Sequence, residues 1–311
     1  MSHRLKRCRP IPFCWGVLMF GALILSPAAA FAQNESTRAD IARSQSDVIN
    51  TDHAPPSPND ADLGEQAILT RSEAYQPFQA SFGLPAYYTS NVALSRSHEQ
   101  DDWLAAPVVV LSFQPRLTPT LYAFAMVREQ LFYYDRFDQL NFGSFDAEAG
   151  LVYLVPEWHD FVLRAMFWYN RLTEKDSFYP FFQNYSIFVS AEVPFRIGQT
   201  QQITLGVDAN ISLEADPEPP RRHDYETYFG YSVALTRSLS LDAVARLTVR
   251  QYQLTDRVDV SESLAASANY VFNRWFSASA ISTIAANQSN HSEFDYKVAN
   301  VGGLLSVTVR F

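Results

Sequence analysis

Cysteine is almost absent from this chain. Among 311 residues the only two are Cys8 and Cys14, which excludes a disulfide framework or a cysteine metal cluster for the body of the protein. Lysine is scarce as well, with only Lys6, Lys175 and Lys297. No apolar run reaches 18 residues, so no segment offers the roughly 20 apolar residues of a membrane-spanning helix. Positive charge is in deficit: 24 Lys+Arg against 33 Asp+Glu give a net charge of −9, which makes the chain a poor partner for nucleic acid. Also missing are G-x-S-x-G, H-E-x-x-H and a glycine-rich phosphate loop. No strand-like segment carries a His and a Ser two residues apart, the pattern a lipid-hydrolysing barrel would need to bring nucleophile and base to one face. The expectation is a protein that is not an enzyme, with no catalytic residues, no cofactor and no metal.

What is present is apolar and aromatic: 47% hydrophobic residues and 14% aromatics, too much of both for a disordered protein. The first 32 residues read as a secretory leader. Arg4, Lys6, Arg7 and Arg9 make a basic start, an unbroken apolar run follows from Cys14 to Leu25, and Ala30-Phe31-Ala32 is a small-x-small site that predicts cleavage after Ala32. Cleavage would remove both cysteines and four basic residues, leaving 20 basic against 33 acidic residues and a net charge of −13. Residues 33–83 read as a flexible polar periplasmic tail. Stretches such as Asn34-Glu35-Ser36-Thr37 and Ala54-Pro55-Pro56-Ser57-Pro58 carry too little apolar surface to offset the entropy of ordering.

Beyond Leu84 the dominant period is two. From Ile203 to Glu214 every odd position is apolar (Ile203, Leu205, Val207, Ala209, Ile211, Leu213), and every even one is polar or Gly. That is a strand with one apolar and one polar face. Twelve such segments are predicted, at 86–95, 105–114, 120–134, 143–154, 161–172, 182–193, 203–214, 225–236, 239–252, 259–272, 275–287 and 296–311. Short turns alternate with more charged loops between them. A soluble β-sandwich also alternates, but its strands average about 5–6 residues and its apolar face interdigitates as a core. Here the segments are longer, and their apolar faces carry small residues such as Ala243 and Ala245, or Ala266 and Ala268. The fold class expected over residues 84–311 is therefore all-β: an antiparallel up-and-down transmembrane barrel of about twelve strands.

The chain ends Leu305-Ser306-Val307-Thr308-Val309-Arg310-Phe311, with Leu305, Val307, Val309 and the terminal Phe311 on one face. This resembles the terminal-strand signal of Gram-negative outer-membrane β-barrel proteins, and the general type is similar to the β-barrel porins found with exopolysaccharide secretion systems. One departure is Val309, where that signal often has an aromatic residue. The resemblance implies residence in the outer membrane, contact with its lipid, and recognition of the last strand by the barrel assembly machinery. It also implies a passive channel or outer-membrane port for a small or linear polar solute, linked to an envelope export system for polysaccharide. The alternatives are a closed structural or surface-interaction barrel and, less favoured, an outer-membrane lipid hydrolase.

With the strand frames above, the inward faces carry Asp146, Glu148, Arg164, Glu192, Asp208, Glu214, Glu226, Asp242, Arg246, Arg250 and Arg310. Pairs such as Glu148 with Arg164, or Glu226 with Arg246, are expected across neighbouring strands. These charges either satisfy one another and fill a narrow barrel or form a selectivity lining. The acids of 99–102, with Glu293 and Asp295, are weak candidates for surface calcium, because the spacing of a calcium loop is missing.

Overall fold

Long strands that alternate apolar and polar residues can cross a membrane only if the sheet closes on itself, because hydrocarbon offers no partner for the N–H and C=O groups of an open edge. The computed structural model, which describes residues 36–41 and 75–311, shows that closure. The strands are β1 (Phe78–Thr89), β2 (Asp102–Ala105), β3 (Val108–Phe113), β4 (Leu121–Tyr134), β5 (Phe142–Val155) and β6 (Phe161–Glu174). They continue as β7 (Pro180–Ile197), β8 (Gln201–Asp216), β9 (Arg222–Ala234), β10 (Leu239–Tyr252), β11 (Val258–Val271), β12 (Phe276–Ser289) and β13 (Tyr296–Arg310). All neighbours are antiparallel, and β13 returns to pair with β1. Thirteen segments fill twelve positions, because β2 and β3 both lie between β1 and β4. Pro107, which has no N–H to give to a ladder, stands at the break between them.

The partition of side chains is inside out. On β8 the outward Leu205 and Val207 are 46% and 54% exposed, whereas the inward Ser212 is 3% exposed. The same holds at the seam, where Phe82, Leu305, Val307 and Val309 are exposed and Asn300 is buried. An apolar coat around a polar interior is stable only if the coat faces lipid. Trp103 stands exposed at one rim, and Trp158, Trp275 and Tyr153 stand exposed at the other, where aromatic girdles belong. A strand of 14 residues at 3.3 Å rise, tilted about 40°, spans roughly 35 Å, enough to cross an apolar band about 25 Å tall.

Two expectations need correcting. The barrel begins at Phe78, not at Leu84, so 78–83 belong to β1 and not to a tail. Gly83 and Pro85 read as breakers, yet both are paired, Gly83 with Ser306 and Pro85 with Leu304, while the residues after Thr89 leave the sheet. There Asn91 folds the chain back by donating to the carbonyls of Ser95 (2.7 Å) and Lys297 (2.9 Å). The second correction concerns residues 36–41, which are neither outside the barrel nor unstructured. They form a helix whose residues Ser36 to Ala39 are buried, Ala39 completely. The leader of residues 1–32 and its cut after Ala32 lie outside the described residues.

Asp101 and Asp102 serve the loop itself. Asp102 accepts the backbone N–H groups of Trp103, Arg136 and Phe137 at 2.8–3.2 Å. Asp101 accepts from the Tyr88 hydroxyl (3.0 Å) and from Arg136 Nη2 (2.7 Å). The Tyr88 hydrogen bond, with Arg136 adding to it, holds the Asp101 carboxyl below the usual range.

Closure depends on Gly302. A Cβ there would collide with the Ala86 carbonyl oxygen and with Tyr87 Cα and Cβ on β1. Replacing it with Val should strain the seam by about 1–3 kcal/mol. The expected outcome is a lower temperature for loss of the folded band in heat-modifiability gels; an unchanged transition would contradict this account of the seam.

Candidate functional site

The inner face of the barrel holds the chemistry. Parity along each strand places Asp146, Glu148, Arg164, Glu192, Asp208, Glu226, Asp242, Arg246, Arg250 and Arg310 on that face, in register with inward neighbours. Glu214 is the exception. A register shift pairs Tyr185 with Glu214 but Ser186 with Ser212, so the bulge turns Glu214 outward and it is exposed.

Several of these charges meet. Arg246 Nε lies 3.2 Å from Glu226 Oε1, whose other oxygen accepts from Thr248 Oγ1 at 2.7 Å. Arg164 Nη1 lies 3.2 Å from Glu192 Oε2, which also accepts from the Tyr228 hydroxyl at 2.6 Å. The expected partner of Arg164 was Glu148. The register explains the difference: Glu148 stands opposite Trp168 and Arg164 opposite Val152, four positions apart along the strand, or roughly 13 Å. Gly206 makes room for Tyr228, because a Cβ there would run into the tyrosine ring. Asp146 accepts from Trp168 Nε1 (3.1 Å) and Asn170 Nδ2 (2.7 Å), and Asp242 from Asn269 Nδ2 (2.7 Å). Asp208 faces Glu226 directly across the β8–β9 ladder. At the rim that carries both strand termini, Arg310 Nε donates to Gln79 Oε1 at 3.0 Å.

The lining is not uniformly polar. Tyr122, Val152, Leu154, Val162 and Met166 form a buried apolar patch on the inner side of β4–β6. Toward the opposite rim, Tyr87, Leu104, Phe132, Tyr134, Phe142 and Phe182 form an apolar collar, and Ala39 of the helix sits within it. These residues come from β1, β2, β4, β5 and β7, so the helix lies inside the barrel, in the half away from the chain's terminal rim. Arg38 Nε donates to the Val92 carbonyl at 2.7 Å, Asp40 makes an ion pair with Arg222, and Ile41 packs on Leu94, Ala285, Tyr296 and Val298. A small cavity of about 50 Å³ remains between the helix and the β6–β9 wall.

Strand parity over the predicted segments reaches Asp259, the first residue of 259–272, but not Arg222, Asp224 or Arg257. Arg222 and Asp224 follow Pro217, Pro219 and Pro220 in the sequence, yet β9 begins at Arg222 and both share the inward parity of Glu226. Arg257 forms an ion pair with Asp259, and its guanidinium lies 3.4 Å from the Phe294 ring centroid. Helix 36–41 carried no signal in its composition, because a six-residue helix takes its stability from its seat.

No protein-family model matches the sequence, and no curated protein matches it. Among solved structures, an outer membrane channel from Pseudomonas putida F1 superposes with a TM-score of 0.54 at 12% identity, over 76% of this chain and 97% of that one. The KdgM porin superposes at 0.40 and 8% identity, over 72% and 97%. The outer membrane phospholipase of Salmonella typhi does so at 0.44 and 12%, over 73% and 90%. At 12% identity the likeness to the Pseudomonas putida F1 channel concerns the fold alone, and it agrees with the closed barrel seen above.

A charge left alone inside the barrel should be costly. In Glu226→Leu, Arg246 loses its counter-ion and Thr248 its acceptor, which should lower stability by about 1.5–3 kcal/mol. Adding Arg246→Leu should recover part of that loss. A double variant as unstable as the sum of the two single ones would show that the pair is not coupled. The chain therefore has the fold of an outer-membrane β-barrel, closed over twelve strand positions, with paired charges in its lumen and a helix of its own seated there.

Proposed function

We propose that the protein resides in the outer membrane and acts as a channel, passing a small or linear polar solute through the lumen. The single observation that carries this reading is the inner face itself. Trp168, Asn170, Asn184, Asn210, Arg222 and Asp224 line an unfilled cavity there, in a barrel whose outer face has no use for such residues. This polar lining contrasts with the apolar patch around Val152 and Met166. In this reading the rim bearing Phe78 and Phe311 faces the periplasm, and the rim of the loops at 90–101 and 290–295 faces outward. Leu305, Val307 and Val309 on the outer face of β13, with Phe311, then form the signal for the barrel assembly machinery. A link to polysaccharide export through an envelope system belongs to the same proposal and rests on the resemblance alone.

A second reading, a closed structural barrel, is favoured by one observation: the helix of residues 36–41 stands in the lumen. Planar-bilayer recordings separate the two. The mature chain should give discrete open steps. Arg246→Glu or Arg250→Glu should move the reversal potential toward cations, since each replaces a luminal positive charge by a negative one. Silence across the accessible voltage range from protein that is folded by gel mobility would sink the channel reading.

A further inference from the structure

Asp40 reaches the barrel wall at one place. Its carboxylate pairs with Arg222 Nη2, and Arg222 is itself fixed on the inner face, its Nε forked onto Asp224 at 3.0 and 3.2 Å. The remaining nitrogen, Nη1, is buried and has no hydrogen-bond partner. Arg250 stands opposite Asp224 in the β9–β10 register and lies within electrostatic reach of Arg222, Asp224 and Asp40. It is 8% exposed, donates Nη1 to Asn287 at 3.4 Å, and keeps a buried Nε without a partner. On its other side Arg250 stands opposite Asp259 of β11, which is already paired with Arg257; three guanidinium groups thus share two wall carboxylates, and the third negative charge is supplied by Asp40, which is not part of the wall.

A buried N–H without an acceptor is unfavourable, and a buried cation without a counter-ion more so. The wall alone therefore presents an excess positive charge and two unused donors, beside a small cavity of about 50 Å³. The cavity also holds Asn210, whose buried Oδ1 lacks a donor, and the Trp168 ring. Planar guanidinium forks suit carboxylates, which accept two parallel N–H donors.

We infer that Arg222 and Arg250 form a luminal binding site for the carboxylate group of a small solute, and that Asp40 occupies this site as a stand-in when no solute is bound. The helix of residues 36–41 and the solute compete for the same donors, so an incoming carboxylate loosens the helix and a seated helix excludes the carboxylate. The nature of the ligand as a passing solute rests on the channel reading; the binding and the competition do not.

The test uses the full mature chain, folded in detergent micelles, which has no cysteine of its own once residues 1–32 are removed. Ala39→Cys places a thiol at a position that is fully buried, and Thr37→Cys supplies a second reporter on the same helix. Labelling by a charged maleimide should be slow in both. Asp40→Asn lies outside the barrel wall and leaves its folding alone; it should speed labelling by about tenfold or more, the equivalent of losing roughly 1.4 kcal/mol of seating. Citrate should also speed labelling of the wild-type background relative to sodium chloride at equal ionic strength, and Arg250→Gln should abolish that difference. The proposal is overturned if Asp40→Asn labels at the parental rate with both reporters, or if citrate acts no better than chloride. A citrate effect in protein that never conducts would leave the site standing and remove the channel. Conduction without a citrate effect would do the reverse.

Discussion

Everything in this molecule depends on the hydrogen bonds that join its first strand to its last. In hydrocarbon no water serves an open sheet edge, so a spanning sheet must close. The seam runs from Gln79↔Arg310 to Thr89↔Asn300. It is finished by a reciprocal pair in which Phe78 N donates to Phe311 O (3.1 Å) and Phe311 N to Phe78 O (3.0 Å). The two rings stack outside it with centroids 5.8 Å apart. The final residue thus does structural work at the seam, and the close approach of β1 over Gly302 shows how little room that seam allows.

Closure at twelve positions sets the scale of the interior. Inward side chains from adjacent strands stand one strand spacing apart, close enough for Glu226 to meet Arg246 and for Glu192 to meet both Arg164 and Tyr228. Charges on neighbouring strands therefore pair along the wall, while the centre of the barrel stays open to be filled by something else. In the half near the terminal rim, apolar side chains from β4–β6 fill part of it. In the other half the filling is the chain's own residues 36–41, and their burial inside a collar of Tyr87, Phe132 and Phe142 makes the lumen a place with an occupant.

The architecture is legible from alternation because a lipid-facing strand has a strict two-residue period, and the frames of β5 through β10 follow from it except past the bulge in β8. Legibility failed where something other than the period decides. Gly83 and Pro85 look like breakers but are held in register by β13. A bulge near Ser212 reverses Glu214 while leaving Asp208 inward. Glu129 does face outward as the plain parity of β4 requires, in register with Phe145 and, beyond it, Arg171. The luminal site was the least legible part. Arg222 and Asp224 lie two and one steps of parity before Glu226, the first inward residue of the predicted segment 225–236, and Asp40 reaches them from a segment whose composition is that of a solvated tail.

The central claim is that the lumen is a passage closed by the chain's own residues 36–41. The most direct measurement is release of a small polar dye from liposomes containing the mature chain, compared with a chain in which those six residues are replaced by a Gly-Ser segment of equal length. The account predicts slow release from the first and fast release from the second, with both barrels folded by gel mobility. Equal rates from the two folded proteins, whether fast or slow, would contradict it.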